Sequence, residues 1–127
     1  MKSWSNWLEL SHENVKNVPE HALGVYVIRR TINIESNNSD IIYIGSSGNG
    51  NQGVGKRLKN LVRGLSLTDD TKAKNKHAAS PVIRQYIQDG LQFSWIECLQ
   101  VPDGVEKAFL LAFWTSNGGL PICNKRF

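Results

Sequence analysis

At 127 residues, 40% of them apolar or aromatic, the chain has the length and apolar content for one compact domain, which excludes a disordered tail. Its formal charge of +4 suits a polyanionic partner but also describes many ordinary soluble proteins. The apolar stretch Phe109 to Trp114 is far too short to cross a bilayer, and Met1 to Trp7 lacks an apolar signal core, so a cytoplasmic protein with no membrane partner is expected.

Residues 1 to 22 read as a polar leader carrying Trp4, Trp7 and Leu8, with Ser11-His12-Glu13-Asn14 a turn or short cap before Pro19. Residues 23 to 127 are taken as the domain. Gly24 to Arg30 and Ile41 to Gly45 are rich in β-branched and aromatic residues and read as paired strands around the polar stretch 33 to 40. After the flexible segment 46 to 53, Val54, Leu58, Leu61, Val62 and Leu65 recur at helical spacing, which predicts an amphipathic helix.

Residues 66 to 79 read as a basic surface loop containing Lys76 and His77. Ser80-Pro81 reads as a cap and first-turn proline for a second helix, stopped by Gly90. Phe93 to Leu99 predicts a strand, Pro102-Asp103-Gly104 a turn, and Val105 to Thr115 a third helix broken by Asn117-Gly118-Gly119. The order is strand, strand, helix, helix, strand, helix: an α+β fold with a small mixed or antiparallel sheet.

Glu106 shares a helical face with Phe109, Leu110 and Phe113, so a carboxylate points toward the apolar side. An isolated buried carboxylate is strongly unfavourable; it needs an arginine, a metal ion or an open cleft. The plainer alternative is a first-turn acid that favours the helix dipole and escapes to water. Arg57 borders the apolar stripe of the first helix and either reaches a cleft or snorkels to the surface. Lys56, Lys59 and Arg63 project to the polar side, as a phosphate-tracking surface or a solvated face.

Tyr26 and Tyr43 sit inside apolar strand runs and are, singly, ordinary core aromatics. Asn124 has the character of a turn-closing residue. His12, His21 and His77 are too dispersed for a metal motif, and Gly48 to Gly55 lacks the Gly-Lys-Ser/Thr ending of a phosphate loop. Cys98 and Cys123 have neither a CxxC spacing nor the density of a secreted scaffold and are expected as reduced, partly buried thiols.

Taken in order, Gly24-Val25-Tyr26, Tyr43-Ile44-Gly45, Arg57 on the next helix, Glu106 on a late helix and Pro121-Ile122-Cys123-Asn124 resemble the GIY-YIG nuclease family over residues 24 to 124. Val25 departs from the isoleucine of the first motif; the second motif matches fully. The resemblance implies a central three-stranded antiparallel sheet flanked by helices, with the tyrosines, Arg57 and Glu106 at one sheet face. It implies a metal-dependent endonuclease that hydrolyses phosphodiester bonds, with DNA the expected substrate.

By the same resemblance, Glu106 is the sole protein ligand of Mg2+ or Mn2+, hard cations that favour oxygen-rich shells. Arg57 neutralises charge growing on the phosphoryl group, and Tyr43 first, Tyr26 second, is the base that activates water. A phenol, ordinarily near ~10, needs a stabilised phenolate for that task. Asn124 holds the site's shape or bonds near the phosphate, and Lys76 and His77 are expected as further nucleic-acid contacts. With no second module recognised, target choice is expected to come from the loops, the leader, a protein partner or a homo-oligomer. Two rival expectations are a catalytically silent nucleic-acid-binding module and a subunit that docks through Trp4 and Trp7.

Overall fold

The structure is a computed structural model that describes residues 3–32, 39–47, 52–66, 77–98 and 101–125. Strand β1 (Leu8–Glu9) and helix α1 (His12–Val15) precede β2 (Gly24–Arg30), β3 (Ile41–Ser46) and α2 (Val54–Leu65). Helix α3 (Ser80–Ile83) runs into a 3-10 turn (Arg84–Asp89), followed by β4 (Leu91–Glu97) and α4 (Pro102–Asn117). All strand pairings are antiparallel and the spatial order is β1-β4-β2-β3.

The fold is thus α+β, but the sheet has four strands, not the expected three. The extra strand comes from the segment read as a leader: Leu8 pairs with Phe93 and Glu9 with Gln92. Two residues are too few to carry a period-two signal, which is why the sequence pattern gives no hint of it. The same segment sends Val15 and Val18 into the core. Its Ser11 hydroxyl caps α1 by accepting from Asn14 N–H at 3.3 Å.

Central β2 is buried on both faces, which explains its nearly unbroken apolar run. One face carries Tyr26, Ile28 and Phe93 and packs on Val54, Leu58 and Leu61 of α2 and Ile83 of α3. The other carries Val25, Val27, Ile44 and Ile96 and packs on Leu110 of α4. The sheet is therefore sandwiched between α1–α3 on one side and α4 on the other.

Two boundaries differ from the sequence reading in ways that matter for the site. Ser80 is not the cap of α3; Ala79 holds that position, and the buried Ser80 hydroxyl donates to Leu61 O at 3.1 Å, tying α3 to α2. Pro102-Asp103-Gly104 is not a turn but the first turn of α4, because proline near a helix start has its φ preset and no N–H to leave unpaired. Asp103 and Glu106 thereby stand one helical turn apart. Gly118 ends the helix in the left-handed conformation, with φ of 79°.

Between β2 and β3 the register slips: Ile28 pairs with Tyr43, but Arg29 pairs with Ile41. Ile42 is the extra residue of this bulge, and it and Tyr43 both pack into the α2-side cluster. Among the described residues no helix is long and apolar enough to cross a membrane. Cys98 and Cys123 are both buried free thiols.

Candidate active site

The two tyrosines meet because Gly45 has no side chain. Gly45 lies opposite Tyr26 across β2 and β3. A Cβ there would stand 2.6 Å from Tyr26 Cζ, 2.7 Å from its Oη and 2.8 Å from Tyr43 Cε2. The vacant space lets the Tyr26 ring cross the strand and come within 6.2 Å of the Tyr43 ring, centroid to centroid.

His77 joins them from the segment ahead of α3. Its Nε2 is 2.6 Å from Tyr26 Oη, and its ring lies edge-on to Tyr43 at 5.7 Å. The sequence reading put His77 on a solvated loop as a nucleic-acid contact. It is 1% exposed, so it faces the tyrosines and not a bound polymer. Lys76 lies outside the described residues.

Arg57, on the α2 face toward the sheet, has Nη2 at 3.5 Å from His77 Nε2, and its charge acts on the Tyr26 hydroxyl. It stands behind the tyrosine pair and is not among the described residues lining the cleft in front of it.

That cleft has a volume of about 640 Å³ and runs along the outer side of β3. Tyr43, Asp103, Glu106, Lys107, Asn124 and Lys125 line it. Glu106 therefore follows neither extreme of the sequence reading: it is neither sealed in the core nor free on the surface. Ser46 Oγ donates to Asp103 Oδ1 at 3.3 Å.

Asn124 is used differently from a simple turn residue. Its Oδ1 accepts from Ile44 N–H and its Nδ2 donates to Ile44 O, both at 2.9 Å. With Cys123 N–H donating to Ile42 O at 2.8 Å, the tail runs along β3 as a substitute strand on either side of Tyr43. Asn124→Ala removes both side-chain bonds and is expected to cost about 1–3 kcal/mol, read by denaturant unfolding. Unchanged stability would mean these bonds are replaced by water without loss.

Electrostatics favour protonated phenols in this arrangement. Burial, then the neighbouring Tyr43 hydroxyl, lifts Tyr26 well above the ordinary phenol range. Burial and then the Glu106 carboxylate push Tyr43 up to about 12, against the opposing pull of Arg57 and of the nearby Tyr26 hydroxyl. Burial raises Glu106 too, Asp103 adding to it while Ser46 and Arg57 oppose. Neutralising charge at Glu106 would relieve the second influence on Tyr43.

Burial, helped by Arg57, holds His77 down to about 3 from an ordinary 6.5. The unfolded chain therefore binds this proton more tightly, so stability falls as pH drops from about 6.5 toward 3. His77→Gln is expected to flatten that part of the acid-unfolding curve. An unchanged curve would show that His77 is not held neutral.

No family model matches the chain, and no curated protein or solved structure matches it.

Of the basic residues singled out on α2, Lys59 is bound to Glu20 at 2.6 Å and Arg63 donates to Asn60 Oδ1 at 2.7 Å, while Lys56 is partly buried. The lysines lining the cleft are Lys107 and Lys125, which the sequence reading missed. Each is the sequence neighbour of a residue it did select, Glu106 and Asn124. Asp103 was missed because it was assigned to a turn.

Among the described residues no group of three or more His, Cys, Asp and Glu side chains comes together. The Asp103–Glu106 pair nevertheless fits a magnesium-like ion, which is commonly held by one or two carboxylates, with waters and substrate phosphate completing the shell. The cleft is open enough to admit these, and the raised carboxyl of Glu106 is the group that a cation would relieve.

Proposed function

We propose that this chain is a divalent-cation-dependent nuclease of the GIY-YIG type, hydrolysing phosphodiester bonds in nucleic acid, with DNA the expected substrate. The observation that carries this reading is that Tyr43 and Glu106, from distant elements, line one cleft with Asp103 and two lysines, while Arg57 and Tyr26 back the tyrosine. A core tyrosine and a solvated first-turn acid, the plain alternatives, do not call for that convergence.

In this reading the phosphate backbone lies in the cleft, drawn by Lys107 and Lys125. Glu106, expected as the sole protein ligand, would hold the Mg2+ or Mn2+ ion together with Asp103, and the bound ion would supply Lewis-acid polarisation of the phosphate and stabilise the leaving oxygen. Tyr43, the tyrosine that lines the cleft, takes the proton of the attacking water in its phenolate form and so returns to the phenol. Tyr26 backs Tyr43, the two ring centroids 6.2 Å apart. Arg57 was expected at the phosphoryl group; its contacts favour a role at the phenols, where its fixed charge lowers the cost of a phenolate. Asn124 holds β3, and Tyr43 with it, in register.

The test is cleavage of labelled single-stranded, duplex and branched DNA and of RNA, with and without Mg2+ or Mn2+. Alongside it, thermal melting is expected to rise with either cation in the wild type and not in Glu106→Gln. Cutting that ignores chelation, or equal cation stabilisation of both proteins, would refute the assignment.

The second reading is a catalytically silent nucleic-acid-binding or partner-docking module. One observation favours it: burial keeps both phenols protonated at neutral pH. Cation-independent binding of the same nucleic acids without cutting would select it.

A further inference from the structure

Beyond Lys107, α4 carries no charged residue as far as its end at Asn117, although Leu110 alone of that stretch is buried. The outer face of a helix in water ordinarily carries charge. Here Leu111 is 60% exposed and Trp114 44%.

These two residues are aligned with the cleft. Leu111 and Trp114 follow Lys107 at offsets of four and seven, so the three share one flank of the helix. Lys107 lines the cleft beside Asp103 and Glu106. The flank therefore leads out of the cleft, with a cation at its mouth, then an exposed leucine, then an exposed indole. The tail accompanies it: Lys125 lines the cleft, and Ile122, 47% exposed, lines a smaller pocket with Phe113 and Asn117 at the far end of α4.

A duplex turns its phosphates outward and keeps its base faces stacked inside, so along this flank it would find no cation from residue 108 to residue 117. An unpaired strand also offers base faces, which stack on aromatic rings whatever the sequence. Lysines at the cleft for phosphates and a ring beyond it for a base match the unpaired strand. A protein partner is the competing use of an exposed apolar helix face, but lysine is depleted from such interfaces. Trp114 stands eight residues past Glu106, about 12 Å along the axis at ~1.5 Å per residue. At the ~3.4 Å rise of one duplex strand, that span is roughly three or four nucleotides.

We propose that the flank of α4 carrying Lys107, Leu111 and Trp114 guides an unpaired strand, that Trp114 stacks on a base three or four nucleotides (roughly) from the phosphate at Glu106, and that the preferred substrate has a single-stranded flank. The distance to the cut rests on the nuclease reading, whereas the binding of a single strand does not.

Binding is read first without divalent cations, by fluorescence anisotropy of a labelled oligodeoxythymidine and of a duplex of equal length. The single strand is expected to bind about tenfold more tightly and to quench tryptophan fluorescence. Trp114→Ala is expected to lose about tenfold in single-strand affinity, the scale of one stacked base, with duplex binding within about twofold of wild type. Trp114→Phe keeps a ring and is expected to restore most of the affinity without the quenching. Leu111→Glu puts a negative charge on the strip at an exposed position outside the core, and is expected to weaken the single strand too. Circular dichroism checks that each variant folds.

Equal affinity of the wild type for single strand and duplex, or unchanged single-strand binding in Trp114→Ala and Leu111→Glu, would overturn the proposal. So would loss of self-association in these variants with nucleic-acid binding intact, which would make the flank an interface between copies. In cleavage with Mg2+ or Mn2+, duplexes with unpaired flanks of either polarity are expected to be cut faster than fully paired ones, and Trp114→Ala to erase the difference. Cutting that needs Glu106 but ignores the flank would keep the nuclease and remove the guide. A wild-type protein that cuts nothing would sink the nuclease reading, while the binding measurements still decide the strip.

Discussion

Glu106→Ala is expected to reduce cation-dependent cleavage by on the order of 10³-fold while leaving the fold intact, because it removes the carboxylate proposed to hold the cation and nothing from the core. Circular dichroism and cleavage rates on the same preparation read both halves of the result. Glu106→Gln sharpens the test. The folded carboxyl titrates above its ordinary 4.5, so between 4.5 and the raised value the native state binds more protons than the unfolded one. The contribution of Glu106 to stability consequently falls as pH climbs through that window, and at neutral pH its charge is a burden on the fold.

An uncharged glutamine lifts that burden. The variant is expected to melt higher than the wild type at neutral pH without divalent ions, and to cut no better than Glu106→Ala. A carboxylate kept at a cost in stability is what a functional site predicts and an incidental surface acid does not. Wild-type cutting in either variant would end the mechanism given for Glu106, and a lower melting point for the glutamine variant would end the account of its burial.

Gly45→Ala is the substitution with the largest expected effect on both stability and activity for its size. The added methyl carbon would fall 2.6 Å from Tyr26 Cζ and 2.8 Å from Tyr43 Cε2. Tyr26 is wholly buried, so its ring cannot swing into open solvent to make room. Overpacking of this kind costs about 1–3 kcal/mol, and relief requires moving one of the rings that the site depends on. Unfolding in urea should show the lower midpoint, and cleavage by the remaining folded protein should fall by more than that fraction explains. Wild-type stability would mean that β2 and β3 separate easily at Gly45, contrary to their paired register.

What the sequence made legible follows the strength of its periodicity. The run Gly24–Arg30 and the stripe Val54–Leu65 appear as read, and the run read as Ile41–Gly45 extends one residue to Ser46, because an apolar pattern sustained along an element reports burial directly. β1 was hidden because its two residues are held by pairing to β4 and carry no pattern of their own. Asp103 was hidden by a Pro-x-Gly tripeptide that serves equally as a turn and as the start of a helix.

His77 was misread for a different reason. Its neighbours in sequence are polar and basic, whereas its neighbours in space are Tyr26, Tyr43 and Arg57. No local pattern announces a contact 51 residues distant along the chain. Tyr26, Tyr43, Glu106 and Asn124 were selected as an ordered set, and their clustering around one end of β3 is a tertiary fact that spacing alone does not contain.

The attachment of Cys123 and Asn124 to β3 also bears on how the molecule behaves among copies of itself. An outermost strand with free N–H and C=O groups is a template onto which another chain can add, and such strands seed aggregation. Here Ile42 O and both backbone groups of Ile44 are already engaged by the tail. The residues that keep the site in register thus also act as a guard against edge-to-edge growth. Loosening them by Asn124→Ala is expected to show first as concentration-dependent light scattering, at temperatures where the domain is still folded.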